Sequence, residues 1–147
     1  MTTEHVHTVA TALDATLTDL VNLGLLADQA HWNLTGPAFG PLNVQFDDLA
    51  GVARGAADTV AERAITLGHH PDGRAATIAH DNVLPDLQPG EVRDSDAVAA
   101  IEAILGVVIT RLHTAIDASC EDPVTQGLLI RIAGTLEKQA WMVRAHL

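Results

Sequence analysis

Basic residues are scarce in this sequence. Its 147 residues contain 8 Lys and Arg against 19 Asp and Glu, which gives a formal net charge of −11 at pH 7. Lys138 is the only lysine. A protein that binds a polyanion such as DNA needs clustered Lys or Arg side chains to displace counterions. We therefore expect the isolated protein to bind DNA weakly or not at all.

Cysteine is almost absent, and the sequence shows no obvious targeting segment. The single Cys120 cannot form an intrachain disulfide, which favours a reducing, cytoplasmic location. We expect Cys120 to be a small core residue rather than a reactive thiol. We also expect no apolar run long enough to cross a membrane and no signal peptide at the N-terminus.

Aromatic residues make up only 3% of the chain, whereas hydrophobic residues make up 48%. Ala, Leu and Val dominate the hydrophobic set, which is typical of helices that pack closely together. The periodicity predicts one all-α domain over residues 1–147, built as a four-helix bundle. The predicted helices span residues 4–34, 41–67, 95–120 and 123–147, and a short helix at 76–80 lies in a long crossover between the second and third.

Four potential metal ligands lie around the first predicted loop. Asp47, Asp58 and Glu62 share one face of the second helix, yet Asp47 and Asp58 are roughly 16 Å apart along its axis. A single metal cannot bind both within one chain. The hairpin instead brings His31 beside Asp47. The spacing predicts two half-sites, His31/Asp47 and Asp58/Glu62, which a two-fold dimer would combine. The alternative is a set of solvated carboxylates.

Other histidines suggest weaker metal sites. Glu4 and His7 have an E-x-x-H spacing at the N-terminus, with His5 beside them, and this segment is either an accessory divalent-metal site or a solvated first turn. His69 and His70 could bind a surface metal in the loop after the second helix. Adjacent loop residues need further ligands for this, so a metal-free turn is the competing interpretation.

Four segments together resemble the Dps family, the mini-ferritins of the ferritin-like superfamily, and the actinobacterial type in particular. They are AHWNLTGP at 30–37, FDDL at 46–49, D-x-x-x-E-R at 58–63 and LEKQAWMVRAHL at 136–147. The resemblance covers nearly the whole chain. It implies a ferritin-like bundle and a hollow homo-dodecamer. It further implies a ferroxidase that oxidises Fe(II), preferentially with hydrogen peroxide, stores the ferric product and protects against oxidative damage.

The resemblance also assigns residues. It places the iron ligands of an inter-subunit centre at His31, Asp47, Asp58 and Glu62. Asn43 stands where the family usually has a histidine, so the alternative is a structural or iron-sequestering shell with an impaired centre.

Three further roles follow from the same resemblance. Glu121 and Asp122 either line an iron-entry pore or cap the last helix. Trp32 either intercepts oxidising equivalents or, like Trp141, packs in the core. In many members of the family, Lys-rich tails bind DNA. We expect no such tail here, because the N-terminal segment MTTEHVH is not basic and the chain stops at Leu147. An acidic shell suits the attraction of Fe(II).

Overall fold

The computed structural model describes all residues, 1–147, and is almost entirely helical. Five helices and two short strands follow one another along the chain: α1 (Thr3–Asn33), β1 (Leu34–Thr35), α2 (Phe39–Thr66), α3 (Ala75–Asp81), β2 (Val92–Arg93), α4 (Asp94–Ala118) and α5 (Pro123–Arg144). The predicted all-α fold, with a short helix in the crossover, is confirmed. The two-residue strands, which the sequence did not reveal, pair in parallel, with Leu34 opposite Val92.

The four long helices form two hairpins, α1 with α2 and α4 with α5, which pack together chiefly through α1 and α4. Apolar residues at helical spacing line the shared face of each helix, because a period of 3.6 residues returns them to one side. They form one continuous core in which Leu20, Phe46, Ile104 and Leu136 are fully buried. α2 ends at Thr66, and Gly68, just beyond its C-cap Leu67, is left-handed with φ of 82°.

Cys120 and Trp141, which were expected in the core, lie on the surface of the protomer, and so does Trp32, for which core packing was one of two alternatives. Cys120 is exposed, because α4 ends at Ala118 and the cysteine falls in the turn that leads to α5. Trp32 and Trp141 are 71% and 59% exposed. In α5 the buried face is occupied by neighbours such as Ala140 and Val143, which leaves Trp141 outside. The prediction of core positions for these side chains is wrong for the protomer.

We expected no segment long and apolar enough to cross a membrane, and this expectation is also wrong, because two helices meet both criteria. α1 and α4 both contain an 18-residue window that is apolar enough to span a bilayer. In α1, 72% of that window is buried inside the bundle, and in α4 the share is 33%. A buried core helix passes the same test, so these two helices are weak evidence for membrane insertion.

Candidate metal centre

The first half-site forms where the end of α1 meets the start of α2. His31 lies on the last turn of α1, and its Nδ1 is 2.9 Å from the main-chain oxygen of Asn43. A carbonyl oxygen only accepts, so Nδ1 carries the proton, and Nε2 of the neutral ring has the free lone pair. Nε2 is 3.9 Å from Oδ1 of Asp47. One imidazole nitrogen and one carboxylate therefore face each other with the lone pair available.

The loop that supports this half-site is anchored by Asp94 at the start of α4. Asp94 Oδ2 accepts a hydrogen bond of 2.9 Å from the Ala38 N–H, at the beginning of α2, and Oδ1 accepts one from the Ser95 N–H. The Ala38 bond is the main reason why the pKa of Asp94 lies below its usual value. Gly36 packs against the same carboxylate, with φ of 115°. Asp94 thus holds the ends of two hairpins together.

The sequence does not reveal this role of Asp94, because a local pattern cannot indicate a bond to Ala38, which is 56 residues away. The only signals in the sequence are a glycine at position 36 and a polar residue at position 94. Their contact can be recognised only in the structure, where β1 and β2 bring the two segments side by side.

The second half-site lies farther along α2. Asp58 and Glu62 are both exposed, one helical turn apart, and neither forms an ion pair within the protomer. No group of three or more His, Cys, Asp or Glu side chains within the protomer could hold a metal ion. A metal centre built from these residues would therefore need ligands from a second copy of the chain.

Arg63, next to Glu62, points toward the start of α5. Its Nη2 is 3.0 Å from Asp122 Oδ2, and its Nε donates to the Thr125 hydroxyl at 2.9 Å. Asp122 also caps α5 by accepting from the Thr125 N–H. Burial raises the pKa of Asp122, but the hydrogen bonds from Thr125 and Arg63 outweigh it and leave the pKa lowered.

These contacts bear on the two alternatives for Asp122. The carboxylate is buried and caps α5, as one alternative expected, and its place in an iron-entry pore stays a prediction. Glu121, its neighbour, is exposed and stays a prediction.

The other histidine candidates lie apart from one another. His69 Nε2 is 2.8 Å from Oδ1 of Asp14, so it bonds a carboxylate on α1 rather than sharing an ion with His70. His5 Nδ1 is 2.8 Å from the hydroxyl of Thr2, at the start of α1. Neither these residues nor the exposed Glu4 and His7 belong to a three-ligand group.

Comparisons with known proteins agree with this architecture. The ferritin-like domain family matches residues 10–147. The DNA protection during starvation protein of Mycolicibacterium smegmatis is 36% identical over 140 residues, which cover 95% of this chain and 76% of that protein. DNA protection during starvation protein 2 of Deinococcus radiodurans is 35% identical over 147 residues, 99% of this chain but only 61% of that protein. The crystal structure of Dps92 from Deinococcus radiodurans superposes with a TM-score of 0.94 at 33% identity, over 97% of this chain and 87% of that one. The chain therefore belongs to the Dps family of ferritin-like proteins.

Proposed function

We propose that this protein is an iron-storage mini-ferritin that oxidises Fe(II) at a centre shared between two subunits. Membership of the Dps family supports iron storage in general. The observation that carries the ferroxidase proposal is the His31/Asp47 half-site. Its Nε2 lone pair is free because the Asn43 carbonyl binds Nδ1, and Asp47 lies beside it. Imidazole nitrogen combined with carboxylate oxygen is a ligand set that suits iron.

Two-fold symmetry supplies the missing ligands in this proposal. Asp58 and Glu62 of one subunit face His31 and Asp47 of its partner, and the symmetric pair forms a second identical centre. Fe(II) is the substrate, and anionic oxygen ligands favour the Fe(III) product. Two Fe(II) ions each give one electron to one hydrogen peroxide, and with two protons the products are two Fe(III) and two water molecules. Paired delivery of the electrons avoids release of a hydroxyl radical.

Asn43 sets the strength of the second iron position. Its main-chain oxygen orients His31 whatever side chain follows, so the first iron does not depend on the side chain at position 43. The side-chain Oδ1 is buried and has no hydrogen-bond partner in the protomer. A neutral amide oxygen is a poorer donor than imidazole. We infer one tight and one weaker iron per centre, and the competing function is a sequestering shell with slow oxidation.

Other parts of the proposal concern the surroundings of the centre. Trp32, exposed and adjacent to His31, is placed to intercept oxidising equivalents that escape it. Glu121 lines the iron-entry path. The functional assembly is a cytoplasmic homo-dodecamer with little affinity for DNA.

Anaerobic addition of Fe(II) followed by stoichiometric peroxide tests the activity through ferric absorbance and the iron retained after desalting. We expect fast peroxide use with iron retained in the shell. The double variant Asp58→Asn/Glu62→Gln should be inactive, whereas Asp117→Asn, an exposed carboxylate on α4, should leave the rate unchanged. Oxidation no faster than in protein-free buffer, by a correctly assembled shell, would support the sequestering function instead.

Mixed assembly tests the shared centre directly. Subunits with His31→Ala/Asp47→Asn and subunits with Asp58→Asn/Glu62→Gln should each form inactive shells. When the two are unfolded and reassembled together, each mixed dimer regains one intact centre, so about a quarter of all centres return under random pairing. A centre contained within one subunit would show no rescue.

A further inference from the structure

A cavity of about 510 Å³ lies between the N-terminal half of α1 and the C-terminal half of α4, away from the half-sites. This volume falls in the range of small-molecule sites, roughly 300–1,000 Å³. Small side chains create it, because alanines stand where larger residues would fill the groove between the two helices. They are Ala12, Ala15, Ala115 and Ala118.

The threonines of the cavity wall offer few hydrogen-bond donors. Thr8, Thr11 and Thr16 each donate their hydroxyl to a main-chain oxygen one turn earlier on α1. Only their methyl groups and the acceptor lone pairs of their hydroxyl oxygens are left to contact a ligand in the cavity. The wall between its two ends is therefore suited to an apolar chain, whereas polar groups lie at the ends, His7 at one and Arg111 with Asp19 at the other.

The charged end of the cavity consists of Arg111 and Asp19. Arg111 Nε donates to Asp19 Oδ2 at 2.6 Å, and its terminal nitrogens have no hydrogen-bond partner in the protein. Asp19 is only 3% exposed, and its Oδ1 has no hydrogen-bond partner. Burial raises the pKa of Asp19 despite the bond to Arg111. Asp14, across the adjoining groove, is already paired with His69.

We propose that this cavity binds a small amphipathic carboxylic acid, with its aliphatic chain against the alanines and its carboxyl group on the terminal nitrogens of Arg111. A guanidinium fork matches a carboxyl group with two parallel hydrogen bonds. Asp19 holds the guanidinium in place from its other edge. Asp19 and a chain of net charge −11 repel a singly charged carboxylate less than a doubly charged phosphate, which favours a carboxylic acid over a phosphate as the ligand.

Calorimetric titration of the assembled protein with octanoate tests the proposal. We expect saturable binding of one octanoate per chain. Arg111→Gln should weaken it by at least about tenfold, and Arg131→Gln, at an exposed arginine outside the cavity, should not. Ala118→Leu should block binding by filling the groove, whereas Ala103→Leu, on the exposed face of α4, should leave it intact. If Arg111→Gln fails to fold, the comparison of Ala118→Leu with Ala103→Leu still tests the proposal.

Two further probes distinguish the contribution of the carboxyl group of octanoate from that of its aliphatic chain. Octanol should bind much more weakly than octanoate, and inorganic phosphate should not compete with octanoate. Equal binding of octanol would overturn the role of Arg111, and competition by phosphate would overturn the ligand class. The cavity itself is excluded as the site if octanoate fails to bind, or binds equally well to Ala118→Leu. These readouts are independent of iron oxidation, so they stand whether or not the ferroxidase proposal holds.

Discussion

At the scale of single residues, one main-chain oxygen determines what His31 can do. The Asn43 carbonyl accepts a hydrogen bond from the Nδ1–H of His31, which directs Nε2 toward Asp47. In the proposed centre, position 43 therefore has two separate roles: its main chain orients the histidine, and its side chain influences only the second metal position. Only the side-chain role can be inferred from the sequence, because a hydrogen bond from a ring to a carbonyl on another helix leaves no pattern in the residue types.

This separation makes Asn43→His informative. The imidazole should bind the second iron more tightly and raise the rate of peroxide-dependent Fe(II) oxidation by roughly tenfold, the order seen when the surroundings of a metal are changed. Stopped-flow absorbance of the ferric product measures the rate. Asn43→Ala is the control: the main-chain oxygen persists, so the first iron should still bind. An unchanged rate in Asn43→His would show that Asn43 does not limit the reaction.

At the scale of elements, the junction between the two hairpins depends on Gly36. A Cβ at position 36 would lie 2.7 Å from the Asp94 carboxylate, and φ of 115° is a conformation that side chains disfavour. Gly36→Ala should therefore lower the free energy of unfolding by about 1–3 kcal/mol and disturb the Ala38 hydrogen bond. Urea denaturation at fixed protein concentration gives the value.

Gly68 offers the matched control for Gly36. It also has positive φ, 82°, but nothing lies within 4 Å of the position that a Cβ would occupy. Gly68→Ala should show only the cost of the left-handed backbone, about 1 kcal/mol, and leave iron oxidation unchanged. Equal losses for the two variants would mean that contact with Asp94 contributes nothing.

The start of α5 is a second junction that can be tested. Asp122 caps this helix and is paired with Arg63, so Asp122→Ala removes the cap and leaves a half-buried guanidinium without its partner. We expect a loss of about 1–3 kcal/mol in the free energy of unfolding. Asp117→Ala, at an exposed position near the end of α4, should change it by less than about 0.5 kcal/mol. A loss in Asp122→Ala no larger than this would contradict the capping role.

At the scale of the whole molecule, the carboxylates that join the hairpins contribute to the acid stability. Asp94 and Asp122 have pKa values below the ordinary value of 3.8. A lowered pKa in the folded state stabilises the protein above the unfolded pKa, and this stabilisation is lost as the pH falls through the folded value. Denaturation midpoints should therefore be steady from about pH 7 to 5 and fall below about pH 4. The double variant Asp94→Asn/Asp122→Asn should have a lower denaturation midpoint at pH 7, and its midpoint should fall less steeply as the pH is lowered. If the midpoints of the variant and the unmodified protein fell in parallel, these two carboxylates would not be responsible for the decline.

Net charge leads to a second prediction for the whole molecule. A chain of charge −11 with a single lysine should not form stable complexes with plasmid DNA, even at low salt, because few cations are available to release counterions. A gel shift at low ionic strength measures this. A variant with several lysines added before Thr2 should shift the plasmid, which would show that the assay detects binding. A shift by the unmodified protein would contradict the expectation.

The sequence by itself determined the helical bundle, the positions of its breaks and the alignment of Asp47, Asp58 and Glu62 on one stripe. Helical periodicity and turn residues act locally, so they can be read along the chain. Only the tertiary structure decided that Asn43 orients His31, that Asp94 joins two hairpins and that Asp122 binds Arg63. These contacts join residues 12, 56 and 59 positions apart. The first forms only when α1 and α2 pack into a hairpin, and the other two form only when the two hairpins pack together. The exposure of Trp32 and Trp141 was undecided for the same reason, because an apolar side chain is buried only where a neighbouring element is present to cover it.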